Sequence, residues 1–245
     1  MTKDIIRHPD EDALKEDIAT RAIKELAAVQ AKGDEPHFVL TGGTIGIAAL
    51  EAIANHKAVK DVDWQKVHFW WGDERFVAAD SADRNALQAY DALLSHIEID
   101  QEKVYEFPAT DDFENLDAAV AAFNKQISEN FSEPVAFDLV FLGMGPDSHV
   151  ASLFPGKANL KVNEITTLPE KDSPKPPPER LTMSMPMINN AKKVWLLVSG
   201  EGKTEAVKES LSDKATIETN PASAAAGTEE TLWLVDEAAV SQLES

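Results

Sequence analysis

The sequence predicts an α/β fold: a single domain with a mostly parallel, doubly wound sheet and helices on both of its faces. Short apolar runs alternate with amphipathic helical patterns along the chain. This alternation is typical of parallel strands that are joined by right-handed helical crossovers. The 245 residues suffice to bury a substantial core, so we expect one domain over residues 1–245.

The chain is strongly acidic, with 43 Asp and Glu residues against 23 Lys and Arg residues and a formal net charge of −20. Such a surface repels phosphate backbones and disfavours nucleic acid as a partner, and an anionic substrate needs a local cluster of cations inside a cleft. The absence of cysteine excludes disulfides and thiolate metal sites. No apolar run matches a signal peptide or a membrane span, so we expect a soluble, cytoplasmic protein that does not bind membranes.

The first predicted elements are a helix, a strand and a second helix. Apolar residues at three- and four-residue spacings predict a helix over residues 10–31, which Gly33 ends. The apolar run at residues 37–40 predicts a strand, and the periodicity resumes as a helix over residues 47–55. This order predicts a strand–loop–helix unit early in the chain.

The loop of this unit contains Gly42, Gly43 and Thr44. Glycines allow a ligand to approach the main chain closely, and free amides at a helix N-terminus favour an anion. A phosphate site is therefore one interpretation of the loop. The other is a turn that uses glycine for its geometry alone.

A second strand, predicted at residues 67–71, leads directly into Asp73, Glu74 and Arg75. Charged residues at the end of a strand favour a ligand site, although an exposed, salt-bridged turn is the simpler explanation of such a tripeptide. Three more elements follow in order: a helix at residues 86–94, a strand at 103–107 and a helix at 112–130.

A continuous apolar run at residues 137–142 predicts a buried parallel strand that ends in a glycine turn. The loop behind it carries Asp147, Ser148 and His149. Ligands of open α/β sheets gather at the carboxyl ends of strands, and a histidine with an ordinary pKa of ~6.5 suits proton transfer near neutrality. His149 is thus a candidate base, with a surface or capping role as the alternative.

Proline then interrupts the pattern. Residues 164–168 predict an edge strand, and the segment SPKPPP at residues 173–178 excludes a helix interior or a central strand. A stiff loop and a disordered linker both fit its composition. Alternating apolar residues at 179–185 predict that a strand follows immediately, which favours the loop. Lys175 and Arg180 supply two cations to this region.

The last predicted elements complete the alternation. They are a strand at residues 193–198, a helix at 201–211, a short turn or helix at 221–226 and a strand at 231–235. Lys203 lies at the start of the helix, where a solvated position is the simplest expectation.

Residues 137–156, FDLVFLGMGPDSHVASLFPG, resemble the GMGxDGHTASLFPG signature of the 6-phosphogluconolactonases, within a superfamily that also contains glucosamine-6-phosphate deaminases. Ser148 replaces a glycine of that signature and Val150 replaces a threonine. If the glycine serves a positive φ, we expect backbone strain at Ser148. Further resemblances are Gly42–Thr44 to GGSTP, 67–77 to FWxDERxV, 173–184 to SPKPPxxRITLT, Gly200 and Lys203 to GxxK, and Trp233 and Asp236 to WxxD.

The resemblance implies hydrolysis of the δ-lactone of 6-phosphogluconate without metal or cofactor, since metal-ligand spacing is absent. It implies that His149 acts as the base and that Asp147 or Asp73 orients its imidazole. The residues implied to bind the phosphate are Gly42, Gly43, Thr44, Arg75, Lys175 and Arg180.

Three alternatives to this reaction are a sister enzyme, a sensor and a nucleotide-binding module. A glucosamine-6-phosphate deaminase needs an acid in a stretch such as HIAFNEP, whereas the residues after His149 read VASLFP and contain none. A sugar-phosphate sensor normally adds a DNA-binding helix pair, for which the residues before the first predicted strand leave no room. A dinucleotide module is disfavoured because residues 143–148 lack the third glycine of its fingerprint.

Overall fold

The computed structural model describes residues 3–243. Its strands are β1 (Asp4–His8), β2 (His37–Leu40), β3 (His68–Trp71), β4 (Asp73–Arg75), β5 (Val104–Tyr105), β6 (Leu139–Gly143), β7 (Thr167–Glu170), β8 (Arg180–Met183), β9 (Lys193–Val198) and β10 (Glu230–Asp236). Its α-helices are α1 (Glu11–Gln30), α2 (Thr44–Asn55), α3 (Asn85–Ala92), α4 (Leu116–Asn130), α5 (Met185–Asn189) and α6 (Thr204–Ser210).

Seven strands form one parallel sheet in the order β1-β10-β9-β6-β2-β3-β5. From β2 the chain proceeds outward through β3 to β5, and from β6 it proceeds the other way through β9 to β10. The order of the strands therefore reverses between β2 and β6. This is the doubly wound arrangement that the sequence predicts.

The sheet is buried because its central strands are apolar on both faces. Phe38, Phe69, Phe141 and Trp233 are completely covered, and they belong to one hydrophobic cluster that also includes the inner faces of the helices. The four strands predicted as buried and parallel, within residues 38–40, 69–71, 139–142 and 194–198, all lie in this one core. The prediction of a single core is confirmed.

A second, smaller sheet pairs β4, β8 and β7 in antiparallel fashion. The strand predicted at residues 179–185 is β8, and it belongs to this sheet. The short β4 follows β3 after a single glycine. In the β4–β8 register Arg75 lies opposite Arg180 and Asp73 lies opposite Thr182, so the small sheet brings together segments that are far apart in sequence.

Several elements differ from the sequence prediction, and the clearest differences are at β1 and α4. The strand β1 was not predicted, because four of its five residues are exposed or half-buried and its pairing with β10 decides its conformation. The helix predicted from residue 112 begins at Leu116, where the Asn115 side chain accepts a hydrogen bond from Ala118 N at 3.0 Å. Among residues 3–243, no helix is long and apolar enough to cross a membrane.

Candidate active site

A cleft opens at the carboxyl ends of β2 and β6, where the strand order reverses. Crevices at such reversals are the usual ligand sites of open α/β sheets. The cleft has a volume of about 310 Å³. Most of the predicted site residues line it, namely Gly42, Gly43, Thr44, Asp73, Arg75, His149, Lys175 and Arg180. The remaining one, Asp147, lies beside His149.

The glycine loop presents the N-terminus of α2 to the cleft. Gly43 has a φ of 80°, which favours glycine, and no side chain caps the helix at this position. The first N–H groups of α2 therefore have no partner within the helix or its cap. Gly42 also packs closely against Asn85, since a Cβ there would overlap Asn85 Oδ1. Such a helix end favours an anion.

Arg75 and Arg180 enter the cleft from the small antiparallel sheet. They are directly opposite each other in the β4–β8 register, so their side chains emerge on the same face. Two like charges in this arrangement repel each other unless an anion or a carboxylate compensates them. Arg75 Nη1 donates to Asn85 Oδ1.

Arg180 also holds the proline loop. Its Nε donates to Pro177 O at 3.2 Å, and its Nη2 donates to Lys175 O at 3.0 Å. Nη1 lies 4.0 Å from Asp73 Oδ2. Burial lowers the pKa of Arg180, against the opposing effect of the Asp73 carboxylate. Arg180 therefore has two roles that the sequence did not separate: it lines the cleft and it fixes the loop.

Two lysines complete the set of cations. Lys175 comes from the proline loop, and Lys203 precedes α6 and donates from Nζ to Met144 O at 2.6 Å. Burial lowers the pKa of Lys203, and the charge of Lys175 lowers it further, while Asp147 opposes both effects. Among residues 3–243, the charged side chains that line the cleft are thus Arg75, Lys175, Arg180 and Lys203 against the single carboxylate of Asp73.

His149 occupies a tight turn that follows β6. Gly145 N donates to His149 O at 2.9 Å, and Ser148 N donates to Gly145 O at 3.0 Å. The imidazole packs against the ring of the buried Phe154, with 4.5 Å between the ring centroids. Ser148 has a φ of 65°, so the left-handed conformation expected at this position is present.

The Asp147 carboxylate is the acid that contacts His149, with 2.5 Å between Oδ1 and Nδ1. Burial opposes the ionisation of Asp147. The hydrogen bond from His149 and the charges of His149 and Lys175 outweigh it and lower the pKa of Asp147 to about 2. An ionised carboxylate only accepts hydrogen bonds, so the proton of the neutral imidazole resides on Nδ1. Within residues 3–243, Nε2 has no hydrogen-bond partner, and its lone pair is available.

Asp73 does not contact His149. Its Oδ2 accepts a hydrogen bond from Ser152 Oγ at 2.6 Å, and its main-chain oxygen accepts one from Asn85 Nδ2 at 2.9 Å. The neighbouring Glu74 accepts from Asn85 N and Ala86 N and so caps α3 from a buried position. Residues 73–75 thus form part of the cleft wall. Asp73 and Arg75 line the cleft, whereas Glu74 does not.

Sequence reasoning did not assign Asn85 or Lys203 to the site. Asn85 starts α3 and buttresses both Arg75 and Gly42, a role that no local pattern indicates. For Lys203 the signal was the GxxK resemblance, which a solvated helix start explained equally well. Both residues reach the cleft because α3 and α6 begin at the carboxyl edge of the sheet.

The arrangement combines a histidine that contacts a carboxylate with a cationic cleft of about 310 Å³. One imidazole nitrogen is held by a carboxylate and the other is available for a water molecule. Within residues 3–243, no group of three or more His, Asp or Glu side chains is placed to hold a metal ion.

Known proteins resemble the chain over nearly its whole length. The family model for glucosamine-6-phosphate isomerases/6-phosphogluconolactonase matches residues 9–233. The 6-phosphogluconolactonase of Streptomyces coelicolor is 39% identical, covering 99% of this chain and 95% of that protein. The 6-phosphogluconolactonase of Mycobacterium tuberculosis is 38% identical, covering 100% of each.

A solved structure shares the fold. The 6-phosphogluconolactonase from Thermotoga maritima matches with a TM-score of 0.83 at 25% identity, covering 96% of this chain and 100% of that one. Sequence matches of this extent, together with a common fold, show that the chain belongs to the glucosamine-6-phosphate isomerase/6-phosphogluconolactonase family.

Proposed function

We propose that this chain hydrolyses 6-phospho-D-glucono-1,5-lactone to 6-phosphogluconate, a step of the oxidative pentose phosphate pathway. The observation that carries the proposal is the His149–Asp147 pair beside a cleft lined by four cations. The names of the relatives at 38–39% identity support the same reaction. We also expect one domain over residues 1–245 and a cytoplasmic location.

In this proposal the phosphate binds at the cationic part of the cleft. The N-terminus of α2 at Gly42, Gly43 and Thr44 offers main-chain N–H groups, and the four cations supply charge-assisted hydrogen bonds. A chain with a net charge of −20 repels an anion at long range, so this local cluster is needed for affinity.

The lactone carbonyl then lies within reach of a water molecule at His149. Nε2 accepts a proton from this water as its oxygen attacks C1, and a tetrahedral oxyanion forms. Asp147 stabilises the resulting imidazolium because it remains ionised, with its pKa lowered to about 2. It also keeps the proton of the neutral imidazole on Nδ1, which directs the lone pair of Nε2 to the water.

Collapse of the intermediate breaks the bond between C1 and the ring oxygen. The imidazolium returns its proton from Nε2 to that oxygen, which becomes the hydroxyl of the open chain. The new carboxylic acid ionises and releases one proton to the solvent. No metal or cofactor enters these proposed steps.

Isomerisation and deamination of glucosamine 6-phosphate is the alternative reaction, since the family name also includes glucosamine-6-phosphate isomerases. The group that contacts the His149 imidazole from the following segment is the Phe154 ring, which cannot transfer a proton. The arrangement therefore favours the lactonase.

Lactone turnover tests the proposal directly. Proton release should be measured with the phosphorylated and the unphosphorylated lactone, after subtraction of spontaneous opening. Ammonia release should be measured with glucosamine 6-phosphate. We expect rapid turnover of the phosphorylated lactone and no ammonia release from glucosamine 6-phosphate. Turnover at the spontaneous rate would refute the proposal, and ammonia release would favour the deaminase.

A further inference from the structure

The histidine loop contains two residues in the left-handed conformation that are not glycine. Ser148 has a φ of 65° and Ala151 has a φ of 49°, and His149 lies between them. Side chains other than glycine rarely adopt this region, and such residues persist only where surrounding contacts enforce the conformation. Contacts around Ser148 must therefore hold its backbone in this conformation.

Ser148 is held from the segment that begins at Asn220. Asn220 Nδ2 donates to Ser148 Oγ at 3.2 Å, and Ala222 N donates to Ser148 O at 2.9 Å. On the other side, Ser148 Oγ lies 3.5 Å from Ala206 O in α6. Ser148 is 1% exposed and Asn220 is 7% exposed, so neither group can exchange its partner for water without opening the structure.

The conformation of Ser148 is linked directly to the position of the imidazole. Ser148 N and His149 O both bond to Gly145, which closes the turn. The imidazole lies against the main chain of this turn, since a Cβ at Gly145 would overlap His149 Nδ1. A rotation at Ser148 would therefore move the ring and its bond to Asp147.

We propose that Asn220 is a positioning residue that holds Ser148 in its left-handed conformation and thereby places the imidazole of His149. The inference rests on the proposed function, in which His149 is the base. Asn220 does not line the cleft, so it acts through Ser148 rather than on the substrate.

The alternative is that Asn220 only stabilises the fold. Its Nδ2 also lies 3.3 Å from Glu209 Oε2, and its Oδ1 accepts from Thr219 Oγ1 at 2.9 Å. If Asn220 has a purely structural role, its substitution should lower kcat equally whatever residue is at position 148. A positioning role predicts that a glycine there removes the need for Asn220, because glycine adopts the left-handed region without strain.

A double-mutant cycle separates the two roles. We expect Asn220→Ala to lower kcat about tenfold, the size of effect that the loss of one buried hydrogen bond produces, with KM within about twofold. In the Ser148→Gly background, the same substitution should change kcat less than about twofold. Asn190→Ala is the matched control, because its half-buried amide donates to Val135 O at 2.9 Å, outside the histidine loop.

Two outcomes overturn the inference. One is an equal loss of kcat in both backgrounds, and the other is no loss in the background that keeps Ser148. If Asn220→Ala does not fold, Asn220→Leu preserves the shape of the side chain and removes the amide, and circular dichroism verifies folding before the kinetics are measured.

Hydrogen exchange supplies a readout that does not depend on turnover. Amides of residues 145–149 should exchange about tenfold faster in Asn220→Ala and at the wild-type rate in Asn190→Ala. Unchanged exchange in both variants contradicts the inference. A wild-type chain without lactone turnover refutes the proposed function instead, and the exchange data still decide whether Asn220 holds the loop.

Discussion

Two histidines at opposite ends of the sheet have nearly the same surroundings. His149 follows the carboxyl end of β6, and His68 begins β3 at the amino end. Each side chain is 14% exposed and each contacts a carboxylate, Asp147 at 2.5 Å for His149 and Glu35 at 3.1 Å for His68. Exposure and an acidic neighbour therefore do not distinguish a proposed base from a structural histidine.

The second ring nitrogen makes the difference. In His68, Nδ1 is bonded to the Tyr105 hydroxyl at 3.2 Å while Nε2 is bonded to Glu35. The ring also stacks on His37, with 4.3 Å between centroids. In His149, which lines the cleft, the carboxylate holds one nitrogen, and the other has no hydrogen-bond partner among residues 3–243. A base needs both features: one nitrogen that is oriented and one that is available.

The largest effect that tests this comparison is expected at His149. His149→Ala should lower kcat by ~10²–10⁴, the usual contribution of a general base, with little change in substrate affinity. His68→Ala is the matched control, and it should alter stability but change kcat less than about threefold. Both variants should be measured by proton release from the phosphorylated lactone.

A folded His149→Ala protein that keeps wild-type kcat would remove His149 from the mechanism and leave Asp73 as the next residue to test. A loss of kcat in His68→Ala as large as that in His149→Ala would show that the difference between the two ends of the sheet is not catalytic.

A smaller effect is expected when the orientation of the imidazole is removed. Asp147→Asn should lower kcat on the order of a hundredfold, because an amide no longer fixes the proton on Nδ1 or stabilises the imidazolium. Glu35→Gln makes the same change beside His68, and it should leave kcat unchanged. Since the pKa of Asp147 is lowered to about 2, the wild-type profile between pH 5 and 9 should contain no transition from this carboxyl group.

The cations of the cleft should affect binding more than turnover. Arg75→Ala should raise KM for the phosphorylated lactone about tenfold, through the loss of one charge-assisted hydrogen bond worth ~1.5 kcal/mol. The unphosphorylated lactone is the control substrate, and its kinetics should not change. An equal rise in KM for both lactones would show that Arg75 acts mainly through its bond to Asn85.

Arg180→Ala should differ from Arg75→Ala. The guanidinium of Arg180 also bonds to Lys175 O and Pro177 O, so its loss releases the proline loop. We therefore expect both lactones to be turned over more slowly by Arg180→Ala. If Arg180→Ala slowed turnover of the phosphorylated lactone only, Arg180 would contribute to phosphate binding alone.

Substitution of His37 should not change turnover. It should change how the stability of the fold depends on pH. Burial, followed by the charge of His68, lowers the pKa of His37 to about 4. The unfolded chain then binds more protons than the folded one, so stability should fall as the pH decreases from ~6.5 through 4, by at most about 3 kcal/mol. Trp70 Nε1 donates to His37 Nδ1 at 3.1 Å, and the amide oxygen of His37→Gln can accept this bond.

Urea unfolding at pH 7 and pH 5 measures this effect. The wild-type chain should lose more stability between the two values than His37→Gln does. Asp147 does not contribute in this window, because the stability from its lowered pKa is lost only as the pH falls from ~4 toward 2. An equal loss in the two proteins would show that His37 does not titrate on unfolding.

The sequence by itself determined the parallel sheet, because strands buried on both faces must be continuous apolar runs and the helices between them must have an apolar stripe. It also determined the segments that form the cleft. Glycines and polar residues that follow a buried strand lie at the carboxyl edge of the sheet whatever the strand order is, which is why Gly42, Asp73 and His149 could be proposed as site residues before the fold was known.

Tertiary structure alone decided which of these residues touch. The small antiparallel sheet places Arg75 opposite Arg180, and no local pattern encodes that register. The same applies to the choice of Asp147 over Asp73 as the partner of His149, to Lys203 in the cleft and to Asn220 behind Ser148. Each contact joins side chains whose positions depend on a turn or on strand pairing, and these are set by the packing of the whole chain rather than by its local periodicity.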